Sequence, residues 1–345
     1  MPDYNVTPSH VVPIVLATVG GVLTVCALLF LLYRRWKTQT SSLTEHVRPS
    51  EKFTSSLMAT MLQDYPDAAD SSSIWNDPTL QSVRIDFRAI EMVRMVWRGG
   101  FGEVWQGLLM GERVAVKQLS DRRTLPDAMA FASEVSSLDH PRIVRFIGVA
   151  WNTALSIRAV TEFMDSGDLR CLLESDRAAT LTWASLKCRI TIDVSDALVY
   201  LHTLTPSLIH RDLKSRNILI DSNRGAKLSD FGVARQRSIE QTMAAGVGTT
   251  RWMAPEVILD GHYTESADIY SLGVVLSELD SCQLPYSDAR MSNGSKMQDV
   301  AILQRVSAGK LQPSFSSGCP PPMLALARAC LSIDPAARPS AIQVS

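Results

Sequence analysis

No C-x-x-C pair joins any of the six cysteines (Cys26, Cys171, Cys188, Cys282, Cys319 and Cys330), and this scatter speaks against both a zinc cluster and a disulfide framework. They read as buried or free thiols. Neither sign of charge prevails, since 34 Lys and Arg face 35 Asp and Glu for a net charge of -1. Without a basic field, no nucleic-acid partner is implied. No internal repeat recurs at a period of about 20 to 50 residues, which speaks against a solenoid or propeller. What remains is a chain of 345 residues, 46% hydrophobic and 20% charged, with enough apolar material for a sizeable core. That length fits one large domain with an appendage.

The longest absence is of charge between Val11 and Tyr33. A helix over that run would be about 35 Å long, enough to cross a hydrocarbon layer of roughly 30 Å. Arg34, Arg35 and Lys37 follow directly, with Tyr33 and Trp36 beside them, whereas residues 1–10 carry only Asp3 besides the amino terminus. The positive-inside rule puts the C-terminal side in the cytosol. A cleavable signal peptide would need its basic residues ahead of a shorter run, so a single-pass anchor is expected, in the plasma membrane rather than an internal one. Ala17 and Gly21 have the spacing that lets two such helices approach as a homodimer. Asn5-Val6-Thr7 matches a glycosylation acceptor on the external side.

From Thr38 to about Ser82 the composition turns to Ser and Thr, including Ser71-Ser72-Ser73, which reads as a flexible tether. Beyond Arg88, short β-branched runs such as Val114-Ala115-Val116 precede longer amphipathic stretches. Behind the start signals Pro126 and Asp127, the residues Met129, Phe131, Val135 and Leu138 recur near helical spacing. Ile190, Val194, Ala197 and Leu201 share one helical face, and Asp268 to Leu279 is a largely apolar helix candidate. The expected division is an external tail over 1–10, a spanning helix over 11–33, a cytosolic linker over 34–87 and one domain over 88–345.

Chemistry is concentrated in that domain. Arg98-Gly99-Gly100-Phe101-Gly102-Glu103-Val104 is a glycine-rich turn between strand-like segments, able to lay backbone amides against phosphates. Such turns are common in hairpins. This one gains weight from Lys117, which ends the apolar Val114-Ala115-Val116 and, buried on one side, requires an anion. Glu134 could supply it by ion pairing while the amine reaches a nucleotide's phosphates. His210-Arg211-Asp212-Leu213-Lys214-Ser215-Arg216-Asn217 interleaves charged and amide groups ahead of Ile218-Leu219-Ile220, and Asp230-Phe231-Gly232 and Ala254-Pro255-Glu256 follow in order. Surface salt bridges are the bland alternative, but a solvated loop has no need of that order.

At this point the chain resembles the protein kinase family over about Ile90 to the C-terminus. The fold implied is α+β and bilobal, with a small mainly β lobe carrying one key helix and a larger helical lobe, here preceded by a transmembrane helix. The cofactors implied are ATP and Mg²⁺, and the partners are protein substrates with Ser or Thr. By the resemblance, Asp212 accepts the substrate proton, Lys214 stabilises the γ-phosphoryl charge, and Asn217 and Asp230 hold Mg²⁺. Lys117, steadied by Glu134, contacts the α- and β-phosphates, with Gly99 and Gly102 in the loop above them. Thr161, Glu162 and Met164 align with the hinge that takes adenine, and Thr161 holds the gatekeeper position. Val104, Ala115 and Leu219 would sandwich the ring, and Asp168 would accept from the ribose. Arg211 beside Asp212 implies control by a phosphate on the 230–256 segment, with Ser238 and Thr242 as candidates. Thr249 would bond Asp212 and Lys214, Glu256 would pair with Arg338, and Asp268 would anchor the catalytic loop. Lys214, with Gly248-Thr249-Thr250-Arg251-Trp252-Met253-Ala254-Pro255-Glu256, is similar to the tyrosine-kinase-like group of serine/threonine kinases.

Two features depart from the pattern. Trp97 stands where the family's loop has its first glycine, so nucleotide binding is expected to be weaker or altered. Few residues follow Arg338, where a further helix is usual. These departures motivate the rival expectation of a pseudokinase acting as a signalling scaffold.

Overall fold

A computed structural model of the chain describes residues 78–99, 102–119, 138–152, 157–230 and 249–345. The anchor expected over 11–33, with Ala17 and Gly21, lies outside these residues. Among the described residues, no helix is long and apolar enough to cross a membrane.

The first elements are α1 (Pro78–Ser82), β1 (Arg84–Ile85), β2 (Ile90–Gly99), β3 (Gly102–Leu109), β4 (Glu112–Leu119), β5 (Phe146–Trp151) and β6 (Ile157–Glu162). The six strands form one sheet in the order β1-β5-β6-β4-β3-β2, with β1 parallel to β5 and the other neighbours antiparallel. Along β4 burial alternates: Val114 and Val116 are buried, and Ala115 and Lys117 are half-buried. Successive side chains of an extended strand point to opposite faces, so the apolar pair enters a small core with Ile90, Ala150 and Val160. Between β3 and β4 the chain reverses through Met110 and Gly111, both left-handed at φ 52 and 85. A two-residue turn of that hand matches the twist of the strands it joins.

The folded unit begins ahead of residue 88, where composition set the end of a linker. Val149 N donates to Val83 O at 2.9 Å, the Arg84 guanidinium lies 4.5 Å from the Trp151 ring centroid, and that of Arg158 lies 3.9 Å from Phe87. A Cβ on Gly148 would come within 2.3 Å of Val83 O, so β1 can sit on β5 only because residue 148 has no side chain. The polar texture around Ser82 hid this strand, whose stabilising partner is more than sixty residues away.

The second half is helical: α2 (Leu169–Glu174), α3 (Leu186–Thr203), α4 (Pro255–Asp260), α5 (Glu265–Ser281), α6 (Asp299–Ser307), α7 (Pro321–Cys330) and α8 (Ala341–Val344), with the hairpin β7 (Ile218–Asp221) and β8 (Gly225–Leu228). Ile190, Val194, Ala197 and Leu201 on α3 are all buried, as their spacing predicts. α5 contains the apolar run from Asp268 to Leu279 and is buried almost all round, which marks a central helix rather than a surface one. Gly273 lets α7 against it, since a Cβ there would lie 2.8 Å from Leu331 Cγ. Of the helix expected behind Asp127, only Leu138 is described, as non-helical chain buried in the large core. Cys171, Cys188, Cys282, Cys319 and Cys330 are free thiols.

Candidate active site

Register assembles the first part of the site. Val104 lies opposite Lys117, which lies opposite Ala159, while Gln106, Ala115 and Thr161 form the adjacent row. Residues directly opposite across a sheet share a face, so Val104, Ala115, Lys117 and Thr161 come together on the face turned away from the small core. Trp97 pairs with Val104 and joins that row. Gly99 pairs with Gly102, whose φ of 122 is one that side-chain-bearing residues rarely adopt. Beside this turn, Glu103 accepts from Trp105 Nε1 at 2.9 Å and from Arg98 Nε at 2.9 Å. Those two donors hold its carboxyl below the ordinary range.

Lys117 Nζ forms an ion pair with Asp230 Oδ1. Glu134, the partner expected from sequence, lies outside the described residues; among those described, the anion that meets Lys117 comes from 113 positions further along the chain. Partial loss of water opposes charge on Asp230, whose side chain stays part-exposed, but the Lys117 ammonium, aided by Lys214, outweighs it and holds the carboxyl below its usual range. Asp230 is placed by its neighbour, for Ser229 N donates to Asn217 O at 2.9 Å.

The segment 210–217 carries the second part. Lys214 Nζ donates to Asp212 Oδ2 at 2.8 Å and Oδ1 at 3.0 Å. Asn217 Nδ2 donates to Asp212 O at 2.7 Å and Oδ2 at 3.1 Å. The amide nitrogen is thereby fixed on Asp212, and the amide oxygen is turned away from it. Arg211 takes a left-handed φ of 67, and its guanidinium lies 5.7 Å from the Tyr263 ring centroid. Beneath the loop, the buried Asp268 of α5 accepts from His210 N at 2.8 Å and Arg211 N at 2.9 Å. Arg338 grips Glu256 with two parallel bonds of 2.6 and 2.7 Å.

The expected nucleotide residues between the two halves have further partners. Glu162 N donates to Arg145 O at 2.9 Å, which commits its amide to the sheet. Its carboxylate is drawn into a charged cluster, accepting from Lys227 Nζ at 2.6 Å and pairing with Arg224. The Glu162 carbonyl accepts from Thr161 Oγ1 at 3.3 Å. Met164 is buried. Asp168 caps α2, its Oδ1 accepting from Cys171 N at 2.8 Å, and it bridges to Leu219 of β7. Ser238 and Thr242 lie outside the described residues, as does the Thr249 side chain.

Sequence reasoning passed over Glu278. On α5 it accepts from Ser215 Oγ at 2.7 Å, Trp252 Nε1 at 2.7 Å and Arg170 Nη1 at 3.2 Å. Its signal was present, since an acid following the apolar run Leu272-Gly273-Val274-Val275-Leu276 and set among buried residues needs a buried partner.

Lys117 of the sheet thus meets Asp230 of the second half. A model of the protein tyrosine and serine/threonine kinase family matches residues 90–345. The chain belongs to this family. It is 33% identical over 260 residues to the probable serine/threonine-protein kinase drkB of Dictyostelium discoideum, covering 74% of this chain and 36% of that protein. It is 37% identical over 251 residues to drkD, another probable serine/threonine-protein kinase of that organism, covering 71% and 18%. With the serine/threonine-protein kinase STY17 of Arabidopsis thaliana the identity is 33% over 264 residues, covering 75% and 44%. The chain thus spans less than half the length of each of these relatives. The two halves of the fold are the small and large lobes of a kinase domain.

Proposed function

We propose that this chain is a membrane-anchored protein kinase that transfers the γ-phosphoryl group of ATP to serine and threonine hydroxyls of protein substrates in signal transduction. The observation that carries the reading is the meeting of Lys117 of the small lobe with Asp230, beside the bonded group of Asp212, Lys214 and Asn217. The names of the relatives and the Lys214 and Gly248-to-Glu256 motifs support serine/threonine specificity within the tyrosine-kinase-like group.

In this reading Asp212 orients the substrate hydroxyl and accepts its proton as the new O–P bond forms and the bond to the ADP leaving group breaks. Lys214 turns from Asp212 toward the transferred phosphoryl oxygens. Lys117 holds the α- and β-phosphates, with Glu134 as its second anion. Asn217 and Asp230 would hold Mg²⁺; their oxygens suit a hard cation, and fixing Asn217 Nδ2 on Asp212 leaves its oxygen for that use. When bound, Mg²⁺ would offset charge on the phosphate oxygens. Adenine would lie among Val104, Ala115 and Leu219 and bond the backbone at Glu162 and Met164 beside Thr161, with Asp168 at the ribose and Gly99 and Gly102 over the phosphates. Arg211 would receive a phosphate on Ser238 or Thr242, and Thr249 would bond Asp212 and Lys214.

The test is phosphotransfer from Mg·ATP onto a generic protein substrate with phosphoamino-acid analysis, using Asp212→Asn as control. Phosphoserine and phosphothreonine from the wild type alone are expected; equal incorporation by both proteins refutes the reading. Membrane attachment through residues 11–33 and the Arg34, Arg35, Lys37 flank predicts a carbonate-resistant pellet that detergent releases. Recovery in the carbonate supernatant would remove the anchor. Trp97 favours a second reading, a scaffold without phosphotransfer, because its indole shares a row with Val104 and Lys117. A thermal shift with Mg·ATP together with measurable transfer would dismiss it.

A further inference from the structure

β2 forms one edge of the sheet and carries two bulges, one between Met92 and Arg94 and one between Met95 and Trp97. The second decides where an indole points. Met95 lies opposite Trp105, so unbroken alternation would set Val96 against Val104; instead Trp97 takes that place, with Val96 as the extra residue. Side-chain bonds fix the faces beside it. Arg98 and Trp105 both donate to Glu103, and Trp105 packs against the small core, so this group occupies the face opposite to that of Trp97.

Trp97 thus faces the cleft in one row with Val104 and Lys117. Neighbouring strands lie about 4.8 Å apart, which sets the backbone of Trp97 about 10 Å from that of Lys117, two strands away. In the kinase reading the pair of Lys117 and Asp230 marks the phosphate end of the cleft. An indole set off from that pair toward the sheet edge is placed for sugar and base, not for phosphate. Arg94 shares this face but is committed to Gln106, whose Oε1 accepts from its Nε at 2.8 Å.

The other tryptophans of this lobe are held by protein partners. Trp105 donates to Glu103 and packs on the small core, and Trp151 is 7% exposed with the Arg84 guanidinium over its ring. Trp97, by contrast, keeps 42% of its surface in water. Nor does it fill the cleft: a ring wedged there would be buried and would part Lys117 from Asp230, yet that ion pair is formed and the Asp230 side chain is 41% exposed. What the bulge presents is a flat aromatic surface open on the face a nucleotide uses. Such a surface suits the π-face of a base and the apolar side of a sugar.

We propose that Trp97 is a nucleotide-binding residue whose indole packs on the sugar and base of ATP. The family has glycine at this place, so the contact is this chain's own. The assignment rests on the nucleotide site of the kinase reading above, and not on phosphotransfer. Its test is calorimetric binding of Mg·ATP and of Mg·tripolyphosphate to the full chain and to Trp97→Phe, Trp97→Leu and Trp97→Gly. Trp97→Gly should weaken Mg·ATP about fivefold or more while tripolyphosphate stays within about twofold. Trp97→Phe should remain within about threefold of the wild type, whereas Trp97→Leu, which restores bulk without a π-face, should lose about threefold or more. An indole that merely obstructs predicts the reverse. Equal or tighter Mg·ATP binding in Trp97→Gly or in Trp97→Leu overturns the proposal, as does an equal loss of tripolyphosphate, which would report a displaced hairpin. If Trp97→Gly does not fold, Trp97→Leu decides. A wild type that binds no Mg·ATP fells the kinase reading and this assignment together, and an active wild type with indifferent variants fells this assignment alone. Binding that depends on Trp97 without any phosphotransfer upholds this assignment and fells the kinase reading.

Discussion

The two lobes hold their charges in opposite ways. In the small lobe the Arg98–Glu103 pair lies at the surface, its arginine side chain 67% exposed, and Lys117 reaches out of the sheet to an Asp230 that is itself 41% exposed. In the large lobe the Arg338 and Glu278 side chains have no exposure, and Asp268 has 1%. Exposed pairs contribute at most about 1 kcal/mol, whereas removing one member of a buried pair costs about 3–5 kcal/mol. The small lobe is thus held by strand register and a small apolar core, and the large lobe by an extensive apolar core into which buried charge pairs are set that also shape the catalytic loop. Asp212 stands on the stiff side of the cleft, and Lys117 is brought to it across a weak pair.

Arg338→Ala should break this comparison most severely. It strands Glu256 and frees the Ser266 and Ser332 carbonyls that Arg338 also holds, and about 3–5 kcal/mol should be lost in a denaturant titration. An equally severe loss from Arg98→Ala would erase the contrast between the lobes. The Glu278 carboxyl is next. Because its pKa rises from 4.5 unfolded to about 7 folded, the folded state binds the extra proton. Stability from this group is complete below about pH 4.5 and is lost as pH rises through 7, by on the order of 3 kcal/mol. Subtracting the pH profile of Glu278→Gln from that of the wild type should isolate this slope; parallel profiles would refute it.

Gly148→Ala tests the small lobe's own manner of support. The added methyl group meets Val83 O, so β1 should detach at a cost of about 1–3 kcal/mol, visible as faster hydrogen exchange at Val149. Unaltered exchange would mean that β1 is not tied through that contact. Lys117→Met should move stability least, by under about 1 kcal/mol, while reducing phosphotransfer by about 100-fold or more. A large stability loss there would put Lys117 among the structural charges of the other lobe.

Several features of the site were legible in the chain. Alternation in Val114-Ala115-Val116-Lys117 is a local property of an extended backbone, so the face shared by Ala115 and Lys117 could be read directly. The α5 helix was equally plain from its apolar run. The segment around β1 was not, because its polar composition carries no sign of a strand that depends on Gly148, far along the chain. Glu134, expected beside Lys117, lies outside the described residues, and the pairing of Lys117 with Asp230, 113 positions away, has no local sign in the chain. Nor did any short spacing link Ser215, Trp252 and Glu278, which meet only because α5 passes beneath both the catalytic loop and the turn before α4.

By itself the sequence determined which groups can carry charge, donate or accept, and which stretches alternate as strand or helix, since these follow from side-chain type and near neighbours. Only the tertiary structure decided who partners whom and which charges lie out of water. Those outcomes depend on contacts between residues tens of positions apart, and burial turns such a contact from a marginal surface pair into one that holds a loop in place.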